Sequence, residues 1–216
     1  MFIGHNAAGF ASKSLAPRTS LGLLMAAPML LDLIWPVFLL LDIEHVRFDA
    51  GATAFTKLDF YNYPWSHSLL MAVVWGLLFG GAYWLKTRYR RGAIVLFAGV
   101  VSHWVLDFVT HRPDLPLYPG GPQVGLGLWN SVPGTIVVEL ILFAAGLALY
   151  LRATRARDRI GSIALWALVI FLLLIFAANA TSTPPPDWRP IAWVGLSAIL
   201  IPIWAAWIDR HRTPVA

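Results

Sequence analysis

Three side chains that commonly bind metals recur at intervals of four residues within one apolar stretch of the sequence. They are His103, Asp107 and His111. At about 100° per residue, positions four apart drift only ~40° around a helix, so the three side chains share one helix face. Two imidazoles and a carboxylate at this pitch have the ligand types of a helical zinc site. The spacing therefore predicts a site for a divalent metal, most simply zinc.

Other ionisable residues also lie in or beside apolar stretches. Asp32 is in the middle of one, and His67 opens another. A carboxylate in hydrocarbon costs at least about 2.5 kcal/mol, so these groups need mutual pairing, a water-filled cavity or a bound cation. Because segments joined by short loops usually pack side by side, we expect Asp32 and His67 to ligate the metal with His103 and Asp107. His111 would complete or support this set, and the alternative is a hydrogen-bonded polar cluster without metal.

Two carboxylates are candidates for the general base of a metal-dependent hydrolase. Glu139 lies about two turns into an apolar stretch, and Asp114 follows the end of the His103 stretch. Either can accept a proton from water next to a metal. Glu139 fits equally well with an interhelical hydrogen bond or a pair with a loop arginine. His5 lies in a short apolar segment typical of a re-entrant or interfacial helix, and hydropathy alone predicts an ordinary surface histidine there.

The composition indicates the class of element that carries these residues. Of 216 residues, 58% are hydrophobic and 12% are charged, whereas a typical soluble domain is about 25% charged. About 20 apolar residues cross the ~30 Å hydrocarbon core as a helix. The sequence predicts an all-α, polytopic transmembrane bundle with six spans, at residues 21–41, 68–85, 92–109, 132–151, 160–180 and 191–208.

Basic residues predict the orientation of the bundle. They cluster at 86–91 and 152–159, in short loops of the kind that stay cytoplasmic. With six alternating spans, Lys13 and Arg18 before the first span share that side with Arg210 and Arg212 after the last, so both termini are predicted to be cytoplasmic. The net charge of +5 follows from this topology and does not indicate nucleic-acid binding.

The loops on the other side are predicted to cover the polar site. These are residues 42–65, 112–131 and the turn at 184–186, and the second is rich in proline and glycine. We expect 1–216 to form one membrane-embedded domain in which 1–151 bears the site and 152–216 adds two apolar spans. The first span is expected to insert uncleaved. With no cysteine in the chain, any metal must be held by nitrogen and oxygen ligands.

Several of these residues together resemble a known family. The early His5, Asp32 within Asp-Leu-Ile-Trp, His67 followed by Ser68, and Ser102-His103 with Asp107 four residues on are similar to the YdjM-like family of bacterial inner-membrane metal-dependent hydrolases. The resemblance covers the first half to two thirds of the chain. It implies that His5, Asp32, His67, His103 and Asp107 are the metal ligands, which gives His5 a role that hydropathy did not predict.

The chain also departs from the family pattern. Only Asp32 remains of its Pro-Asp-x-Asp signature, and Pro64-Trp65-Ser66 replaces the Arg-Gly that often precedes His-Ser. A reduced site can hold one metal instead of two, or have lost its chemistry. Two functions are therefore carried forward. One is a membrane-embedded metal-dependent hydrolase of a lipid-like or membrane-adjacent ester or phosphoester; the other is a non-enzymatic ion or proton carrier or accessory subunit with a structural polar cluster.

Overall fold

The chain folds as a bundle of long apolar helices. A computed structural model describes residues 1–181 and 187–215; the predicted turn at 184–186 lies outside them. Six helical segments are long and apolar enough to cross a membrane, which confirms the all-α polytopic prediction. They are α2 (Leu21–Leu40), α4 (Leu69–Thr87), α5 (Arg90–Thr110), α6 (Val132–Ala153), α7 (Arg159–Thr181) and the pair α8 (Arg189–Ser197) with α9 (Leu200–Arg210).

A further helix, α1 (Ile3–Leu15), precedes the first span and lies inside the bundle. It packs against α6, α2 and α5. The close approach of α1 and α6 depends on Gly146 of α6, since a Cβ there would lie 2.3 Å from the carbonyl oxygen of Ala7. At 1.5 Å per residue its 13 residues cover about 20 Å, which is less than the ~30 Å hydrocarbon core. By length alone, α1 therefore does not cross the hydrocarbon core.

Capping residues in the sequence account for where three of the spans begin. The side chain of Ser20 accepts a hydrogen bond from the Gly22 amide, Ser68 from Met71 and Ser131 from Gly134. Each hydroxyl satisfies an amide that the first turn leaves without a helical partner. In α2 the helix continues through Pro28 and Pro36.

The sixth span is broken in the middle. Between α8 and α9 the chain forms a turn at Ala198 and Ile199. Pro202 has no amide proton to donate to the carbonyl of Ala198, four residues earlier, and its ring disfavours a helix there. The break follows from that proline, and the sixth span predicted at 191–208 is found at Arg189–Arg210.

The loops at one end of the bundle contain strands that the all-helical prediction did not include. Strands β1 (His45–Phe48) and β2 (Leu58–Asn62) form an antiparallel hairpin, followed by the short helix α3 (Pro64–His67). Strands β3 (Leu115–Pro116) and β4 (Gln123–Val124) pair in the next loop, which ends in a turn of 3₁₀ helix at Leu128–Asn130. We call this end of the molecule the hairpin end.

The basic loops gather at the opposite end. Thr19 hydrogen-bonds Tyr83 at the end of α4, and Lys13 forms an ion pair with Asp209 at the end of α9, with 2.6 Å between Nζ and Oδ1. Strand β5 (Thr154–Ala156) pairs with β6 (Arg212–Pro214). The segments that the charge pattern assigns to one side of the membrane therefore lie at the same end of the bundle, which we call the basic end.

Candidate metal centre

Helix α5 holds His103 and Asp107 side by side, both at most 2% exposed. His103 Nδ1 lies 2.8 Å from the carbonyl oxygen of Pro28. Since a carbonyl only accepts, Nδ1 carries a proton, and Nε2 is the nitrogen available to ligate in the neutral ring. Nε2 lies 3.0 Å from Asp107 Oδ2, yet it has no hydrogen-bond partner in the described part of the chain. An unprotonated Nε2 and a carboxylate at this distance are arranged as ligands of a common cation would be.

His67 is oriented by residues from the loop before it. The hydroxyl of Ser66 donates to the carboxylate of Glu44, which also accepts the amides of Trp65 and Ser66 at 2.7 and 2.8 Å. Because that hydroxyl has given away its only proton, His67 Nδ1 must donate to it, over 2.7 Å. Nε2 of His67 is the nitrogen that faces Asp32, at 3.4 Å from Oδ1. We call this chain of hydrogen bonds, from Glu44 through Ser66 to His67, the Glu44 relay. Imidazoles that bind a metal typically have such a hydrogen-bond partner on their other ring nitrogen.

Helix α1 brings His5 to the same place. Its ring stacks on that of His103 with centroids 3.8 Å apart and planes 5° from parallel, and its Nε2 lies 3.1 Å from Asp107 Oδ1. His5 is 1% exposed, so the surface histidine predicted from hydropathy is wrong. His5 Nδ1 has no acceptor among the described residues. His5 therefore lacks the support that His67 and His103 have. The amino nitrogen of Met1 also bonds Asp107 Oδ1.

The candidate ligand atoms form two overlapping groups of three. One comprises His5, His103 and Asp107, the other Asp32, His67 and His103, and within each group the atoms lie within 4.8 Å of one another. His103 Nε2 is 3.9 Å from Asp32 Oδ1. Tetrahedral zinc with bonds of about 2.0 to 2.1 Å has ligand atoms roughly 3.3 Å apart. His103 has only one nitrogen to offer, which favours a single ion shared by both groups.

His111 lies beside this cluster and outside both groups. Its Nε2 is 3.8 Å from Asp107 Oδ2, while Nδ1 bonds Asp114 Oδ1 at 2.9 Å and the Tyr63 hydroxyl at 3.1 Å. Burial, with the charge of Asp114 next, raises the pKa of Tyr63 well above its ordinary value, so this hydroxyl stays protonated. Asp114 also accepts from Arg112. The contacts give His111 and Asp114 a supporting position.

Glu139 reaches the cluster from α6 and is fully buried. Its Oε2 accepts the amides of Phe2 and Gly4 at 2.9 and 3.1 Å and so caps the first turn of α1. Its Oε1 has no partner within the described residues. One carboxylate oxygen is structural, and the other can take a proton.

A cavity of about 460 Å³ adjoins the cluster. Asp32, His67, Asp107 and Glu139 contribute to its wall. The side chain of Asp32 is 40% exposed although it lies in the middle of a span, which is possible because it faces this space. Asp114 does not line the cavity, which separates it from Glu139 as a candidate base.

The roof of the cavity comes mainly from the first loop at the hairpin end. Seven of the lining residues belong to it: Phe48, Phe55, Thr56, Lys57, Leu58, Phe60 and Tyr63. Of residues 112–131, predicted as the principal lid, only Trp129 is among those lining the cavity in the described chain. The amide of Phe55 donates to the carbonyl of Trp129 at 2.9 Å, which joins the two loops. The second loop thus supports the roof more than it forms it.

Glu44, Ser66 and Tyr63 were not among the residues predicted for the site. Each acts through a contact that joins separate loops or helices, and the spacing of residues in the sequence does not predict such a contact. A signal existed only for Ser66, a hydroxyl next to His67. The hydroxyls next to the two imidazoles in sequence make other bonds: Ser68, after His67, caps α4, and Ser102, before His103, donates to the Gly99 carbonyl.

Comparison with protein families gives one match. A family model described as "YdjM inner membrane protein" matches residues 2–184, most of the chain and all of the residues described above as candidate ligands or base. No curated protein and no solved structure matches the chain.

Proposed function

The chain belongs to the YdjM inner membrane protein family, and from that premise we propose that this multi-pass inner-membrane protein binds one divalent ion, most simply zinc, and hydrolyses a lipid-like ester or phosphoester. The observation that supports this most is the state of His103. Its Nδ1 donates to the Pro28 carbonyl, while its Nε2 faces two carboxylates and has no hydrogen-bond partner among the described residues. A cation compensates such an arrangement.

The residues that would hold the ion are His103, Asp107, Asp32 and His67, with His5 as a possible fifth. When bound, the ion supplies a Lewis acid that polarises the substrate oxygen and acidifies water in an open position. The pocket supports an open position, because the cluster borders a cavity large enough for part of a small-molecule substrate.

Glu139 has the position of a general base in this proposal. Its Oε1 takes a proton from the attacking water, whose oxygen forms a bond to the carbonyl carbon or the phosphorus. The ester C–O or P–O bond breaks, and the proton passes to the leaving oxygen. Because Oε2 remains bound to the Phe2 and Gly4 amides, the carboxylate keeps its orientation through the transfer.

Metal content of the purified protein tests the proposal. We expect about one zinc per chain in the native protein and loss of it in His103→Ala. His45→Ala is the matched control, because His45 lies on β1 and is not in either ligand group. A native protein that stays metal-free after incubation with zinc, at a chelator-buffered micromolar concentration, would contradict metal binding and favour the ion or proton carrier or the accessory subunit.

Glu139→Gln separates an enzyme from a metal-binding structural protein. The amide oxygen can still accept from Phe2 and Gly4, so the metal content should stay unchanged. Loss of a general base typically lowers turnover by about 10²- to 10⁴-fold. The assay is release of product from a panel of lipid esters and phosphoesters in detergent. Unchanged turnover of a responsive ester in this variant would remove Glu139 from the mechanism.

A further inference from the structure

The cavity beside the cluster has two chemically different ends. The polar end holds the candidate ligands and Glu139. The other end is walled by Ile175 of α7, by Ile191 and Val194 of α8 and by Ala198 at the break in the sixth span. A site for a small polar substrate would not need this apolar extension.

The apolar end lies at a gap between two helices. In the described ranges 159–181 and 189–197, α7 packs against α9 but makes no comparable packing with α8. Val194 and Ile175 line the cavity and are nevertheless 70% and 37% exposed. Both belong to membrane-spanning segments, so the surface they present outside the cavity faces lipid. An opening at this gap would lead from the cavity to the hydrocarbon core.

Toward the hairpin end the cavity is covered. Phe55 at the tip of the first hairpin lies 5.9 Å from Phe176 of α7, between ring centroids, and its amide bonds Trp129. The roof therefore rests on α7 and on the second loop. Of the two sides, the gap between α7 and α8 offers an apolar molecule the easier entry.

The cavity that borders the acidic cluster also has a cation in its wall. Lys57 lines the cavity, is partly buried and donates from Nζ to the carbonyl of Thr53 at 2.8 Å, which leaves two further ammonium protons. An ammonium at this place favours an anionic head group.

We propose that the substrate is an anionic, phosphate-bearing lipid whose long acyl chain enters laterally between α7 and α8, with its phosphate between Lys57 and the metal cluster. This deepens the proposed function and rests on it for the chemistry, but chain binding can be measured without turnover. The apolar wall binds the chain because each buried methylene contributes about 0.8 kcal/mol.

Photocrosslinking to the full-length protein in detergent tests this. The probe is a long-chain monoacylglycerol phosphate with a diazirine near the chain end, and the crosslinked residues are identified by mass spectrometry. We expect labels on α7 and α8 around Ile175 and Val194. Val194→Trp should weaken labelling about tenfold or more, since displacing two methylenes already costs roughly that factor. Leu200→Trp is the control, because Leu200 is similarly exposed and does not line the cavity.

A second pair of probes tests the head group. Lys57→Ala should weaken labelling by the phosphate probe several-fold and leave labelling by the neutral monoacylglycerol unchanged. Equal effects on both probes would overturn the phosphate assignment.

The outcomes also separate this inference from the proposed function. Labelling at α7 and α8 that falls in Val194→Trp supports the chain site even if the protein binds no metal and turns nothing over. Labels spread over all lipid-facing helices, unaffected by Val194→Trp, would overturn the chain site even if a short-chain ester is hydrolysed.

Discussion

The Ser66 hydroxyl lies between the Glu44 carboxylate and the His67 ring, so Glu44 orients His67 through Ser66. The chain of contacts fixes which ring nitrogen of His67 carries the proton, and therefore which one can ligate. No equivalent acceptor stands behind His5, whose Nδ1 has no partner in the described part of the molecule. The three histidines therefore differ. His103 and His67 each have an acceptor that orients the ring through Nδ1, whereas His5 is positioned mainly by stacking.

Removing the hydroxyl should weaken metal binding. In Ser66→Ala the Nδ1 proton of His67 loses its acceptor, and changes to such supporting groups typically cost about 10- to 100-fold in metal affinity. Competition with a zinc chelator measures this. Ser102→Ala is the control, since its hydroxyl bonds only the carbonyl of Gly99 in its own helix. Equal affinities in the two variants would show that the relay does not support a ligand.

At the scale of elements, α1 is the one that completes the cluster. It contributes His5, and its first turn receives the cap from Glu139, so its distance from α6 sets the positions of these two side chains. Gly146 determines that distance, because even a methyl group there would meet the Ala7 carbonyl.

Gly146→Ala should therefore destabilise the protein and reduce its zinc content. Alanine is a better helix former than glycine by about 1 kcal/mol, but overpacking of this kind costs roughly 1 to 3 kcal/mol, and the net effect is a lower Tm. Gly81→Ala is a matched control: a Cβ there meets nothing within 4 Å, so its Tm should hold or rise. A Gly146→Ala protein as stable and as zinc-loaded as the control would contradict close packing of α1.

The hairpin over the cavity is held by Arg112. Its guanidinium donates to Asp59 on β2, to Asp114 and, at 3.2 Å, to the carbonyl of Ala52. One side chain therefore ties the roof to the end of α5, next to His111.

In Arg112→Ala we expect the roof to open more often. Loss of the two hydrogen bonds to the hairpin, worth about 1 kcal/mol each, should speed amide exchange across residues 45–62 by about tenfold or more. Hydrogen exchange with mass spectrometry measures it. Arg47→Ala tests specificity, because Arg47 also pairs with Asp59 but its side chain is 67% exposed. If the two variants exchange alike, Arg112 is not what holds the roof.

At the scale of the whole molecule, the basic end should face the cytoplasm. The chain has no native cysteine, so single cysteines report cleanly. In intact cells a membrane-impermeant maleimide should leave Arg90→Cys and Arg155→Cys unlabelled and should label Leu126→Cys, which is 67% exposed at the hairpin end. The reverse pattern would invert the predicted orientation.

Much of the fold was predictable from sequence because membrane spans are read from local hydropathy. The pairing of His103 with Asp107 followed from helix periodicity in the same way. The first hairpin was not predicted, because its strands are only four and five residues long. The buried position of His5 depends on α6, more than a hundred residues away, and the Glu44 relay on two loop segments meeting. Contacts between distant segments leave no periodic signal in one sequence.

The position of α1 has a consequence for biogenesis. The amide of Phe2 and the carboxylate of Glu139 are 137 residues apart in sequence, and ribosomes add about 5 to 20 residues per second. For roughly 7 to 27 s of synthesis α1 thus has no α6 to pack against, and it must wait at the membrane surface or beside other segments. We expect stalled chains that end before α6 to leave α1 accessible to protease, and chains released after it to protect it. Completion of the His5, His103 and Asp107 cluster is then a late event in the life of each new chain.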